Sequence, residues 1–162
     1  ENKKIGVILG KAETEESVDR IAGLKDGLEG SGCEIFWEYN YARGNQNTSE
    51  IIASKKQVDY LVILDNWALE EVGEAAEENK YHGAKIYGVG SSEKAIVLLD
   101  NQNIECLVVP DDYETGYMSM NEIAKKLRHS FYKMNSCETE VRIINKEDLY
   151  SKDLERFLYS YE

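Results

Sequence analysis

The sequence predicts an α/β fold, a three-layer α/β/α sandwich around a mainly parallel sheet of about five to six strands. Apolar runs of strand length alternate along the chain with segments in which apolar residues recur every three or four positions, as in amphipathic helices. The run at 59–64 is almost continuously apolar, which is typical of a central parallel strand. Strands that alternate with helices form parallel sheets through right-handed crossovers, and helices cover both faces of such sheets.

The first strand and helix are predicted from one apolar run and one spacing pattern. Residues 4–10 form an apolar run of strand length that ends in glycine. The apolar positions of 17–28 recur at helical spacing, and either Thr14 or Ser17 supplies an oxygen that caps the helix. Aromatic and β-branched residues are concentrated in 33–39, which predicts the second strand.

The middle of the chain continues the alternation. A short helix is predicted over 49–57, and the apolar run that follows it, 58–64, predicts the third strand. Residues 67–80 have the composition and apolar spacing of a helix, and a His-Gly pair ends that pattern. Residues 84–89 predict the fourth strand.

The last third of the chain predicts two more strands. A short helix over 93–100 leads to a fifth strand over 104–109, which a proline stops. The longest helix is predicted over 113–131, since its apolar residues keep helical spacing throughout. Alternating residues predict a last strand over 140–144, and an apolar stripe predicts a helix over 148–161.

Length and composition fit one globular domain. The chain has 162 residues, of which 42% are hydrophobic, and a chain of this size buries roughly 70% of the surface that its unfolded form exposes. We therefore expect a single α/β domain over 1–145 and a C-terminal helical tail over 146–162. The 31 acidic and 19 basic residues give a net charge of −12. That charge disfavours nucleic acid and anionic membranes, because both are bound by clustered Lys and Arg.

The patterns that carry catalysis or hold a metal are missing from the sequence. There is no P-loop or nucleophile elbow, and the glycines after the fourth strand do not extend to a dinucleotide fingerprint. Cys33, Cys106 and Cys137 have no C-x-x-C spacing, and Cys106 is predicted to be a buried thiol. His82 and His129 have no metal-ligand partner nearby and are predicted at the surface. We therefore expect no catalytic residue, no metal and no cofactor.

The residues just after the predicted strands are candidates for ligand binding, because ligands of open parallel sheets bind beyond the carboxyl ends of the strands. They are polar and aromatic, a mix that suits a hydroxylated or polar small ligand, since short polar side chains form hydrogen bonds and flat rings stack on apolar faces. With one cation from the first helix, the candidate ligand-binding residues are Lys11, Arg20, Tyr39, Asp65, Asn66, Trp67, Ser91 and Asp111.

Three of these candidates have structural alternatives. Arg20 is suited to a fork of hydrogen bonds to a ligand, or to an ion pair with Glu16 one turn earlier. Trp67 either stacks on a ligand or packs under its own loop. Asp111, with its neighbour Asp112, either binds a cation, acts in acid/base chemistry, or caps the long helix, and we favour the cap.

Five segments, in the same order and spacing, resemble the second lobe of the type 1 periplasmic-binding-protein and LacI-regulator ligand-binding fold. They are Lys4-Ile-Gly-Val-Ile-Leu-Gly10, the helix with Ser17-x-x-Arg20-x-x-Gly23, the edge Leu64-Asp65-Asn66-x-Ala68, the turn Ile86-Tyr-Gly-Val-Gly90, and Val109-Pro110 through Gly116. The similarity covers most of 3–145. The sequence departs from the family at Gly90, where the family has an aspartate that commonly anchors a sugar hydroxyl.

The resemblance implies one half of a clamshell that closes on a sugar or similar polar molecule. Arg20, Asp65 and Asn66 fall where the family often touches its ligand, with Trp67 and Ser91 beside them. It also implies an N-terminal lobe that the chain lacks, against which the long predicted helix would pack. Without that lobe, self-association as a homodimer would cover the apolar surface of the helix.

The resemblance implies the non-catalytic binding lobe of a solute-binding protein that serves a transporter or receptor. The alternatives are the effector-binding lobe of a LacI-type transcription regulator and a small α/β enzyme. The expected partners are a small polar ligand, the missing lobe and a second copy, with no nucleic-acid contact by this lobe and no membrane insertion. The chain starts in a strand without an initiator Met, so we expect a longer parent protein, with an extracytoplasmic location favoured over a cytoplasmic one.

Overall fold

In a computed structural model of the protein, residues 2–11, 14–44, 47–76 and 80–159 are described, position 156 by its backbone alone. Within these residues six strands form one sheet, in the order β2-β1-β3-β4-β5-β6. The strands are β1 (Lys3–Leu9), β2 (Cys33–Asn40), β3 (Tyr60–Ile63), β4 (Lys85–Val89), β5 (Cys106–Pro110) and β6 (Val141–Ile144). The helices are α1 (Glu15–Leu28), α2 (Thr48–Ser54), α3 (Asn66–Ala75), α4 (Glu93–Asp100), α5 (Asp112–Arg128) and α6 (Glu155–Leu158).

The pairing of the strands confirms the predicted α/β fold. Strands β1 to β5 all run parallel to one another. Strand β6 runs antiparallel to β5, with Val108 opposite Ile143 and Pro110 opposite Val141. The sheet is therefore mainly parallel and six-stranded, and its order reverses between β1 and β3 because β2 lies on the other side of β1.

A glycine in β1 makes room for a tryptophan of the neighbouring strand. A Cβ at Gly6 would lie 2.2 Å from Cζ2 of Trp37, so no other residue fits at this position without movement of the ring. The indole N–H of Trp37 donates to the carbonyl of Lys56, at 2.9 Å. The pairing of β1 with β2 shifts register at the same point, between Ile5 and Gly6.

The larger core lies on the face of the sheet that α2, α3 and α4 cover. It contains fully buried side chains from the strands, such as Ile8 and Leu107, and from the helices, such as Leu69, Val72 and Leu99. The continuous apolar run of β3 is explained by burial on both faces, because Leu61 and Ile63 lie in this core and Tyr60 and Val62 pack against a smaller core on the opposite face.

On the opposite face, α1 packs against the β1 side of the sheet. Its Ile21, Leu24 and Leu28 cover Val7 and Leu9 and close a smaller core. Toward β6 the described residues leave this face open: Val141 and Ile143 of β6 are both exposed. Helices therefore lie on both faces, as predicted, but the second face is covered only in part.

Helix α5 turns its apolar side to solvent. Residues that gave this helix its predicted spacing are 60% exposed at Tyr117, 64% at Met120 and 81% at Leu127. We call the exposed apolar side chains of this helix the α5 stripe, and they are Tyr113, Tyr117, Met120, Ile123 and Leu127, with Phe131 just beyond. The helix ends at Arg128, before the predicted 131, and Glu122 is its single buried residue.

Glu122 fastens the segment after α5 to the helix. Its carboxylate accepts the backbone N–H of Asn135 at 2.9 Å, the Lys125 ammonium at 2.7 Å and the Tyr132 hydroxyl at 3.0 Å. These bonds, with that from Asn135 the largest contribution, lower the pKa of Glu122 to about 2. The carboxylate therefore stays charged, and its bonds to Lys125, Tyr132 and Asn135 persist, through the pH range in which ordinary carboxyl groups titrate.

The C-terminal tail is less helical than predicted. Instead of one helix over 148–161 it forms two 3-10 turns, Lys146–Asp148 and Lys152–Leu154, before α6. Its Leu149, Phe157 and Leu158 are buried in the larger core. Residues 160 and 161 of the predicted tail helix, and residues 77–79 of the predicted 67–80 helix, lie outside the described residues. No helix in the described residues is long and apolar enough to cross a bilayer.

Candidate ligand-binding edge of the sheet

The residues that follow β1 to β5 meet along one edge, which we call the carboxyl edge. Hydrogen bonds continue the strand pairing up to this edge: Tyr41 N–H donates to the Leu9 carbonyl and Leu64 N–H donates to the Ile8 carbonyl, both at 2.8 Å. The strand order reverses here, between β1 and β3, and this is the position where ligands of open α/β sheets bind.

The structure places most of the candidate residues at the carboxyl edge. Arg20 reaches the edge from α1, and the others follow the strands directly: Lys11, Asp65, Asn66, Trp67, Ser91 and Asp111. Tyr39 lies within β2 and packs half-buried against the larger core, with the Lys55 ammonium 5.4 Å from its ring. Lys11 is exposed in the bend after β1.

Arg20 ties α1 to the end of β3. One of its nitrogens, Nη1, donates to the carbonyl of Leu64 at 2.7 Å, and the other, Nη2, pairs with Glu16 at 2.5 Å. The ion pair that the sequence offered as an alternative is therefore present. The guanidinium is about one-third exposed, so a ligand at this edge meets an arginine already oriented by two protein partners.

Asp65 serves as the N-cap of α3. Its Oδ1 accepts the backbone N–H of Ala68 at 2.9 Å, which satisfies a donor in the first turn of the helix. Its second oxygen, Oδ2, lies against Gly10, where a Cβ would be only 3.0 Å away. The absence of a side chain at Gly10 thus lets the end of β1 approach the start of α3.

Asn66 occupies the space that a side chain at position 90 would need. A Cβ at Gly90 would lie 2.3 Å from the Asn66 side-chain oxygen, a distance that real atoms do not adopt. The amide nitrogen of Asn66 donates to Glu70 at 2.9 Å, whereas its oxygen is buried and has no hydrogen-bond donor among the described residues. The glycine at 90 therefore accommodates the Asn66 amide.

Asp111 caps α5, as favoured from the sequence. It is fully buried, and its Oδ1 accepts the backbone N–H of Glu114 at 2.8 Å. Asp112 is exposed and accepts the Ser91 hydroxyl at 3.0 Å, which joins the turn after β4 to the start of α5. The two carboxylates thus have separate structural partners. The described residues contain no cluster of His, Cys, Asp and Glu that suits a metal ion.

Trp67 is accessible at the edge and lies under Arg43, a residue that was not among the predicted ligand-binding residues. Its ring is 47% exposed, and the Arg43 guanidinium lies over it, 3.7 Å from the ring centroid. In the sequence, the feature that could have drawn attention to Arg43 is its position next to Gly44, which adopts a φ of +88° in the turn after β2. Nothing local in the sequence links that turn to Trp67, which lies on α3.

Tyr41 and Glu71 lie where the loop that carries Arg43 joins the rest of the protein. Tyr41 is buried at the end of β2, and burial, followed by the nearby Glu71 carboxylate, raises its pKa. Glu71 also accepts the backbone N–H of Thr48 at 3.2 Å, the first residue of α2. The loop that carries Arg43 is thereby connected at both ends to the packed part of the protein.

Comparison with known proteins identifies the family. A family model described as a periplasmic binding protein domain matches residues 1–130. The chain belongs to this family. No curated protein sequence matches it.

Solved structures of periplasmic binding proteins share the fold of the chain. A carbohydrate transporter solute-binding protein from Agrobacterium radiobacter, in complex with D-arabinose, has a TM-score of 0.82 and 19% identity over 98% of this chain. A glucose-galactose binding protein from Geobacillus stearothermophilus has a TM-score of 0.78 and 19% identity over 92%. A Bacillus halodurans solute-binding protein with bound myo-inositol has a TM-score of 0.77 and 14% identity over 91%.

The chain spans about half the length of these proteins: 56%, 55% and 53% of the three respectively. At such low identity the likeness establishes the type 1 periplasmic-binding-protein fold of one lobe. Members of the family are non-catalytic solute-binding proteins, so the alternative of a small α/β enzyme is wrong.

Proposed function

We propose that this protein is the non-catalytic second lobe of a solute-binding protein of a transporter or receptor and binds a sugar or similar polar solute at its carboxyl edge. The observation that carries the proposal is the half-exposed ring of Trp67, held among polar side chains where the strand order reverses. The D-arabinose bound in the Agrobacterium structure and the myo-inositol bound in the Bacillus structure support the ligand class. The family supports action outside the cytoplasmic membrane.

Several polar groups of the edge already have protein partners, which limits what a ligand contacts. Asp65 and Asp111 cap helices, and Arg20 is held by Glu16 and a backbone carbonyl. The groups left at the surface are the Trp67 ring, with Arg43 above it, and Lys11. We therefore expect millimolar affinity for a neutral sugar, on the order of 4 kcal/mol of binding free energy.

An NMR titration tests the proposed site, because the chain has two tryptophans and one of them lies elsewhere. We expect D-arabinose, D-galactose or myo-inositol to shift the indole N–H signal of Trp67 in a saturable way. The Trp37 indole, bonded to the Lys56 carbonyl, serves as an internal reference and should stay fixed.

The shift should disappear in Arg43→Ala or weaken strongly, and it should persist in Tyr117→Ala, which removes an exposed ring on α5. Equal shifts of both indoles, or none with any of the three compounds, would contradict binding at this edge.

The second element of the proposal concerns the α5 stripe, which the N-terminal lobe covers in the whole protein. The chain spans about half of its structural relatives, and apolar strips this large mark contact surfaces. In the isolated chain a second copy takes that place. Acidic residues lie at the start of α5 and Lys125, Lys126 and Arg128 at its end, so an antiparallel pair of α5 helices brings opposite charges together.

Sedimentation equilibrium checks the self-association. We expect a reversible dimer of the 18.5 kDa chain, with the midpoint at micromolar concentration. Met120→Lys, at the centre of the α5 stripe, should raise the dissociation constant at least about tenfold, because it buries a charge in the apolar contact. Val18→Lys, at a similarly exposed site on α1, is the matched control. A monomer at all concentrations would contradict the dimer.

A further inference from the structure

The cations of the carboxyl edge are concentrated at one end of it. Leu9 and Tyr41 are joined by a backbone hydrogen bond, and the cations Lys11 and Arg43 each follow two residues later. Both therefore lie at the β1–β2 corner of the edge. At the far end, after β5, the start of α5 carries Asp112 and Glu114. Near Trp67 a ligand meets Lys11 and Arg43, whereas the carboxylates of Asp65 and Glu71 at this end accept the backbone N–H groups of Ala68 and Thr48.

Arg43 is held by a ring instead of by a carboxylate. Its guanidinium lies 3.7 Å from the centroid of the Trp67 ring, and no carboxylate of the described residues is within 4 Å of it. Arg20 and Arg142, in contrast, pair with Glu16 and Glu140. Arg128, at the end of α5, also has no carboxylate partner among the described residues, so what distinguishes Arg43 is its position on the Trp67 ring at the carboxyl edge.

Stacking on Trp67 prepares Arg43 to bind an anion. A guanidinium that lies flat on an aromatic ring is oriented by the ring, yet its N–H groups point outward in its own plane. Those donors match the two oxygens of a carboxylate or phosphate, and such charge-assisted pairs are about twice as strong as neutral hydrogen bonds. Lys11 at the same corner adds a second positive charge for the same anion.

We propose that the solute bound at this edge is an anionic sugar, whose carboxylate or phosphate is held by Arg43 with Lys11. This inference rests on the proposed function and narrows its ligand class. A neutral sugar offers the fork of Arg43 only uncharged hydroxyl oxygens. An anionic sugar satisfies it, and the ring of the sugar then extends along the edge toward Asn66 and Ser91.

A matched set of three compounds tests the proposal on the full chain: D-glucose, D-glucuronate and D-glucose 6-phosphate. The readout is the indole N–H signal of Trp67, with Trp37 as the reference. We expect at least one of the two anions to bind about tenfold more tightly than glucose, because a hydrogen bond to a charged group is worth more than one to a neutral group. The two anions distinguish a carboxylate ligand from a phosphate ligand. Added salt should weaken the anions and leave glucose unchanged.

Charge variants locate the effect. Arg43→Gln should remove the preference for the anion, and Arg43→Lys should restore only part of it, because lysine keeps the charge but loses the planar fork. Arg128→Gln removes the same charge at the exposed end of α5 and should leave the preference intact. Equal binding of glucose and both anions would overturn the anion proposal and leave the proposed function standing. Absence of binding by all three would contradict both.

Discussion

Truncation of Leu69 to alanine is expected to lower the free energy of unfolding by about 3 kcal/mol. Leu69 is fully buried on α3, and its side chain fills the hollow over the glycine of β4. A Cβ at Gly88 would lie 2.4 Å from Cδ1 of Leu69. The contact between helix and sheet therefore combines a large side chain on α3 with the absence of one on β4, and truncation leaves a cavity.

The reverse change at Gly88 tests the same contact from the strand. Gly88→Ala alone is expected to cost about 2 kcal/mol, because its new methyl group overlaps Leu69 in a close-packed core. In the Leu69→Ala background the methyl group enters vacated space. The double variant should therefore be more stable than the sum of the two single effects predicts, by about 1 kcal/mol or more.

Urea unfolding followed by circular dichroism measures all three variants. Val97→Ala, at a site on α4 that is 56% exposed, is the matched control and should change stability by less than about 0.5 kcal/mol. Additive effects of the two core substitutions would show that Leu69 and position 88 do not share one space.

Asp111→Ala is expected to destabilise the protein by about 2 kcal/mol, the upper end of the range for an N-cap residue. Asp111 is fully buried, caps the Glu114 N–H, and donates its own backbone N–H to the carbonyl of Glu140. It thus connects the end of β5, the start of α5 and the approach to β6. Loss of its carboxylate leaves a buried helix N–H without its acceptor.

Two neighbouring changes separate the cap from general charge effects. Asp112→Ala removes the exposed partner of Ser91 and should cost less than about 0.5 kcal/mol. Asp111→Asn keeps a side-chain oxygen and should recover most of the stability lost in Asp111→Ala. Equal loss in the two alanine variants, measured by urea unfolding, would contradict the role of Asp111 as the cap.

Local sequence patterns were sufficient to predict the order of strands and helices along the chain. The apolar run at 59–64 indicated a buried strand, and Pro110, the last residue of β5, indicated where the fifth strand ends. Each of these features depends only on the residues of its own segment. The cap supplied by Asp111 was recognisable for the same reason, because a cap is three residues from its donor.

Features that depend on contacts between distant segments were not predictable. The spacing of α5 indicated an amphipathic helix, but the sequence alone does not say whether its apolar side meets this sheet or another surface. Arg43 and Trp67 are 24 positions apart, and only the fold brings them together. The tail forms short turns instead of one helix while Leu149 and Phe157 reach the core, a tertiary demand that overrides local spacing.

The contact between Asn66 and Gly90 constrains the order in which these two positions can be replaced. An aspartate introduced at 90 first would overlap the Asn66 amide, whose oxygen lies 2.3 Å from the Cβ position. If residue 66 is first shortened to alanine, that overlap is removed, and the Cβ at 90 then needs only a small movement of Leu69, whose Cδ2 lies 3.3 Å away. A route that introduces a carboxylate at 90 is therefore expected to begin with residue 66, and a library that varies position 90 alone would miss the pair.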